Sequence, residues 1–164
     1  MHVKELMQRP VITCSIDRTL NEVARLMWDH DLGTIPVVDA DGRLVGIVTD
    51  RDICMSAYTQ GLPLSSIPVP TAMSSQVLCC HIDDVVETAE QLMREGQVRR
   101  LPVIDNDGRP IGMLALNDLA RLAASARRSG IDRDLIQTFG AICTPRLTTD
   151  RPRADQMSGP AALA

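Results

Sequence analysis

Aromatic side chains are nearly missing from this sequence: one Trp, one Tyr and one Phe, or 2% of 164 residues. Any core must therefore be aliphatic, filled by branched side chains and by eight flexible Met. A long hydrophobic run is missing too, which argues against a membrane span. The opening Met1-His2-Val3-Lys4-Glu5-Leu6 carries charge of both signs and no apolar stretch, unlike a secretory signal, so a cytoplasmic location is expected. There is no excess of positive charge: the net charge is −4, against the concentrated basic surface that nucleic acid requires. The five cysteines (Cys14, Cys54, Cys79, Cys80 and Cys143) are odd in number. That excludes a complete disulfide framework and reads as small buried hydrophobes. No Ser/His/Asp set, paired-carboxylate site or Gly-rich phosphate loop stands out, so no catalysis is expected.

What is present is an internal repeat. Shifted by 66 positions, residues 7–53 match residues 73–119 without a gap, and 15 of 47 positions are identical. Met7 falls on Met73, Cys14 on Cys80, Pro36-Val37 on Pro102-Val103, Gly46 on Gly112 and Asp52 on Asp118. Each unit opens with a short helix near residue 3 or 70, then an extended piece, Val11-Ile12 or Val77-Leu78. A helix follows: Leu20, Val23, Ala24 and Met27 recur at helical spacing. Thr19 with Glu22 predicts a capping box, and Asp84 with Glu87 predicts its counterpart. Two apolar strands then flank an Asp-Gly turn, Asp41-Gly42 or Asp107-Gly108, which predicts a hairpin. Closing helices are expected over about 50–58 and 116–127.

The fold expected is α/β, two β-α-β-β-α units. One repeat spans 1–60, a Pro-rich connector 61–70, a second repeat 71–127, a C-terminal helix 128–143, and a tail without periodicity 144–164, expected to be disordered. A unit of this size is marginal alone, so the two should pack sheet against sheet. The helix faces Leu20/Val23/Met27 and Val86/Ala89/Met93 are expected to stay bare and to drive a homodimer. The last helix should fold back to bury Phe139.

Two sets of polar residues stand out. Thr49 follows a strand and opens a helix, where backbone N–H groups attract an anion. Asp52, one turn on, suits a sugar diol. The same Thr-x-x-Asp pattern is also a plain capping motif. Arg99 and Arg100 precede the second Pro-Val strand where repeat 1 has Gly33-Thr34. They offer phosphate-binding forks, or else a solvated surface pair or an ion pair across a dimer. Cys79-Cys80-His81 lacks a second Cys/His pair at zinc spacing, so no metal is expected.

The Met7 and Met73 starts, the Ile35-Pro36-Val37-Val38-Asp39 and Leu101-Pro102-Val103-Ile104-Asp105 strands, and Gly46-Ile47-Val48-Thr49-Asp50-Arg51-Asp52-Ile53 together resemble the cystathionine-β-synthase (CBS) domain family. The resemblance covers about residues 1–125. It implies a Bateman module: two repeats about a pseudo-two-fold axis with two clefts that take AMP, ADP, ATP or S-adenosylmethionine, commonly in a dimer. Carried over residue by residue, it implies one cleft joining Thr49, Arg51 and Asp52 to Val77, Cys79 and Arg100, with Ile47 and Val77 against the adenine. It implies a weaker cleft on Asp118, facing Gly33-Thr34, where Ala115 replaces the hydroxyl. Most such pairs regulate an attached enzyme or channel. No enzyme or channel segment is recognised in these 164 residues, so a separate, unknown effector protein is expected. The alternative is a stress-related interaction protein with empty clefts. Likeness to small stand-alone bacterial CBS-pair proteins further suggests a Cys14–Cys143 pair.

Overall fold

The computed structural model describes the backbone of residues 1–125 and 129–144, and side chains of 1–122 and 135–144. The expected tail beyond Thr144 lies outside the described residues. Two mixed three-stranded sheets carry the fold. In the first, β1 (Cys14–Ser15) runs parallel to β2 (Thr34–Val38), which pairs antiparallel with β3 (Leu44–Thr49). The second repeats this with β4 (Cys80–His81), β5 (Arg100–Ile104) and β6 (Pro110–Ala115). Helices α1 (Leu20–Asp29) and α2 (Asp50–Gln60) accompany the first sheet; α3 (Val86–Gly96) and α4 (Leu116–Ser125) accompany the second. α5 (Ser129–Cys143) follows and packs on α3 and α4.

The hairpins form as predicted. Asp39 accepts hydrogen bonds from the backbone N–H groups of Asp41 and Arg43, and Asp105 does the same for Asp107 and Arg109. Gly42 and Gly108 both sit at φ +78°, a conformation that costs glycine little. The two turns then meet: Leu44 N–H donates to Gly108 O at 2.9 Å, and Arg43 and Arg109 each donate to the opposite turn's backbone.

Each core is completed by a segment next to the other repeat in sequence. Val3 and Met7 are buried in the second core; Ile67 and Val69, from the expected connector, are fully buried in the first. Val3 N–H donates to Asp84 O and Val69 N–H to Arg18 O, in the same geometry. Gln8 exchanges two backbone hydrogen bonds with Met113, and Ser74 two with Ile47. Gly46 and Gly112 leave room for this crossing: a Cβ on either would collide with Sδ of Met73 or of Met7.

Several expectations need correction. The extended pieces Val11-Ile12 and Val77-Leu78 are not strands; pairing begins at Cys14 and Cys80, where the chain comes alongside β2 and β5. Thr19 and Glu22 form their box, but α3 is capped by Val85, because Asp84 accepts from His81 N–H instead. The Val86 N–H is satisfied by Met1 O of the crossing segment. The helix faces expected to stay bare are buried within the chain: Leu20, Val23, Met27, Val86, Ala89 and Met93 are at most 6% exposed. α5 folds back, yet it buries Leu135 and Thr138, while Phe139 remains 37% exposed. Cys14 lies in the first core and the exposed Cys143 ends α5 over the second, so the suggested pair does not form and both thiols are free.

Candidate functional site

Between the repeats lies a cleft of about 960 Å³. One wall is Gly33-Thr34, Ile47 and residues 49–52; the other is Ser74, residues 76–78 and residues 96–100. The cleft brings together Ile47, Thr49, Arg51, Asp52, Val77, Arg99 and Arg100. It does not include Cys79 or Asp118. Cys79 is half-buried, and desolvation, helped by Asp84, pushes its thiol pKa up. Gly33-Thr34, expected at the other cleft, share this one with the arginines: Arg100 Nη1 donates to Thr34 Oγ1 at 3.3 Å.

Thr49 caps α2, and the cap is closed. Asp52 Oδ2 accepts from Thr49 N–H (2.8 Å) and from its hydroxyl (2.7 Å), while Asp52 N–H donates to Thr49 Oγ1. The other N–H groups of the first turn are also taken, Asp50 by Gly33 O and Arg51 by the Asp50 carboxylate. The helix end therefore offers a ligand few free donors, contrary to the expectation that it would hold an anion. Two things remain open: Asp52 Oδ1 has no protein partner, and Arg51, Arg99 and Arg100 make no ion pair among the described residues. Three guanidinium forks suited to phosphate meet in one groove, beside the carboxylates of Asp50 and Asp52.

Asp118 is treated differently. It is 1% exposed, and its carboxylate is fully engaged. Oδ2 accepts from Ala115 N–H at 2.8 Å; Oδ1 accepts from Gln8 Nε2 at 2.8 Å and from Arg121. The sequence reading missed Gln8 and Arg121. The repeat alignment held the signal: 66 residues away stand Ser74 and Met55, too short and too apolar to engage Asp52 in the same way.

The chain belongs to the CBS-domain family, whose domain matches residues 3–57 and again residues 65–125. It is similar to the CBS domain-containing protein YhcV of Bacillus subtilis (strain 168): 41% identity over 118 residues, 72% of this chain and 82% of YhcV. The chain spans 61% or less of three further curated relatives, two of them enzymes of which it covers only 22% and 24%. Among solved structures it is similar to the CBS domain pair of protein MJ0100 in complex with 5′-methylthioadenosine and S-adenosyl-L-methionine. That likeness has 28% identity and a TM-score of 0.68, over 76% of this chain and 97% of that one. It is also similar to Hypoxic Response Protein I, solved with two coordinated zinc ions: 29% identity, TM-score 0.67, 74% of this chain and 98% of that one. In this chain no group of three or more His, Cys, Asp or Glu is placed to hold a metal among the described residues. No helix of the described residues is long and apolar enough to cross a membrane.

Proposed function

We propose that this protein is a regulatory CBS pair that binds one adenine nucleotide per chain in the cleft at Asp52 and passes the adenylate level to a separate effector protein in the cytoplasm. The observation that carries this reading is the pairing, in one groove, of a carboxylate oxygen without a partner and three arginines without an ion pair among the described residues. Asp52 Oδ1 accepts from the ribose hydroxyls; Ile47 and Val77 flank the adenine; Arg51, Arg99 and Arg100 hold the phosphates. The adenosyl ligands named for the MJ0100 pair support the nucleoside half of this assignment. The arginines favour AMP, ADP or ATP over the cationic S-adenosylmethionine. The ligand is bound and released unchanged, without catalysis.

A second reading draws on the closed Thr49–Asp52 cap: these residues serve the helix alone, the cleft stays empty, and the protein works through its surface. A thermal-shift panel of AMP, ADP, ATP, adenosine, 5′-methylthioadenosine and S-adenosylmethionine separates the two. A ligand at a hundredfold excess over its dissociation constant adds about 2.7 kcal/mol of stability. We expect the phosphorylated compounds to raise Tm most. No shift from any of them favours the second reading.

A further inference from the structure

We propose that α5 reads the occupancy of the cleft through Gln97, so that a nucleotide in the cleft tightens α5 against the second repeat and docked α5 tightens the nucleotide. This rests on the ligand reading given above. Gln97 belongs to both structures at once. Its backbone ends α3 in the left-handed region, φ 49° and ψ 42°, and lies in the 96–100 stretch that lines the cleft and presents Arg99 and Arg100. Its side chain points the other way: Nε2 donates to Ala141 O at 3.1 Å and to Thr144 O at 3.4 Å, at the C-terminal end of α5, where helical carbonyls run out of partners. One turn earlier on α3, Arg94 donates to Gln137 of α5 at 3.3 Å.

The first repeat shows that the backbone turn belongs to the fold while the bridge does not. Asp31, 66 residues earlier, is also left-handed at φ 52°, but among the described residues no second helix like α5 packs there for its side chain to cap. Among the described residues the bridge therefore occurs only on the repeat that carries Arg99 and Arg100. A left-handed conformation is costly for a residue with a Cβ. At Asp31 the fold alone holds it; at Gln97 α5 holds the side chain while a ligand gripping Arg99 and Arg100 would hold the next residues of the same turn, so both favour one local state. Two events that stabilise one local state are coupled reciprocally.

The test uses the full chain with ATP as probe, calorimetry for affinity and hydrogen exchange for α5 (amides 135–143). With saturating ATP, α5 exchange should slow, and Gln97→Ala should abolish that slowing. Two variants away from the cleft test the reverse direction: Ile142→Ala, which loosens packing under α5, and Arg94→Ala, which removes the Gln137 bond and leaves the core intact. Each should weaken ATP binding, by about fivefold for Ile142→Ala, the low end of typical couplings. Melting curves confirm that both variants fold. Bound ATP that leaves α5 exchange unchanged, or a loosened α5 with unaltered ATP affinity, overturns the coupling. If wild-type protein binds no ATP, the nucleotide reading fails by itself, and the link is judged without ligand. Ile142→Ala should then speed exchange at the Gln97 and Val98 amides, and unchanged rates there overturn it.

Discussion

Asp52 and Asp118 occupy one position of the repeat and meet different neighbours. Asp52 spends one oxygen on its helix cap and keeps the other open; Asp118 spends both on Ala115, Gln8 and Arg121. Their substitutions should therefore separate. Asp52→Ala is expected to cost about 1 kcal/mol of stability, the value of a cap, and to reduce nucleotide affinity roughly ten- to a hundredfold, from about 1.5–3 kcal/mol for a hydrogen bond to a charged group. Asp118→Ala removes the buried acceptor that holds Ala115 N–H, Gln8 and Arg121, costs about 1.5–3 kcal/mol for hydrogen bonds to a charged group, and should change affinity little. Thermal melts and calorimetry on both variants check this; equal losses of affinity, or two equal sites per chain, contradict it.

The thiols sort in the same residue-by-residue way. Burial pushes Cys14 from 9.0 to about 11 and Cys80 to about 12, so both stay protonated and shielded near neutrality. Cys54 and Cys143 are exposed. A thiol reagent at pH 8 should modify those two first and reach Cys14 and Cys80 only on unfolding. Because the folded-state values are raised, the unfolded chain sheds these protons first. Below about pH 9 the two groups leave stability unchanged, and it should fall as pH rises from 9 through 11 to 12. A denaturation midpoint that stays flat across that range would contradict it.

Among the elements, the two crossing segments decide how the repeats hold together. Val3 and Met7 lie in a core built from residues 80–142, and Ile67 and Val69 in a core built from residues 14–53. Deleting residues 1–8 should therefore destabilise the second repeat, although those residues adjoin the first in sequence. Two buried side chains at roughly 1.5–3 kcal/mol each set the scale at about 3 kcal/mol or more. Urea denaturation of the truncated chain reads it, and an unchanged midpoint would show that the segment merely lies on the surface. The same deletion removes Gln8 from Asp118.

At the scale of the whole molecule the pseudo-two-fold symmetry is broken by α5, which packs on α3 and α4. Among the described residues no helix like α5 covers α1 and α2, although the short turn Leu64–Ser66 packs on α1. There Trp28 is 88% and Tyr58 72% exposed, where the expected faces Leu20/Val23/Met27 are already spent on the core. We expect a homodimer closed over this side: light scattering should give twice the 17.9 kDa chain mass at micromolar concentration, and Trp28→Arg, which installs the residue type of Arg94 on α3, should favour the monomer. A wild-type monomer under those conditions ends the proposal.

The sequence by itself determined whatever depends on neighbours along the chain. The Asp-Gly hairpins, the Thr19–Glu22 and Thr49–Asp52 boxes and the apolar stripe of α1 follow from backbone preference and helical period, and the 66-residue repeat carried the hairpins twice. Family resemblance put Ile47, Thr49, Arg51, Asp52, Val77 and Arg100 on one cleft, but also Cys79, which lies outside it, and it put Gly33-Thr34, which line it, on the other. Tertiary structure alone decided what depends on chain segments meeting across space. Residues 61–70 read as a connector because their prolines and serines have no periodicity, yet Ile67 and Val69 fill a core. Asp84 reads as a cap until the crossing N-terminus supplies Met1 O to α3. Asp118 reads like Asp52 until Gln8, 110 residues away, reaches its carboxylate. Local conformation is set by a residue and its near neighbours; the partner of a buried carboxylate is set by which distant side chain the packing leaves within about 3 Å.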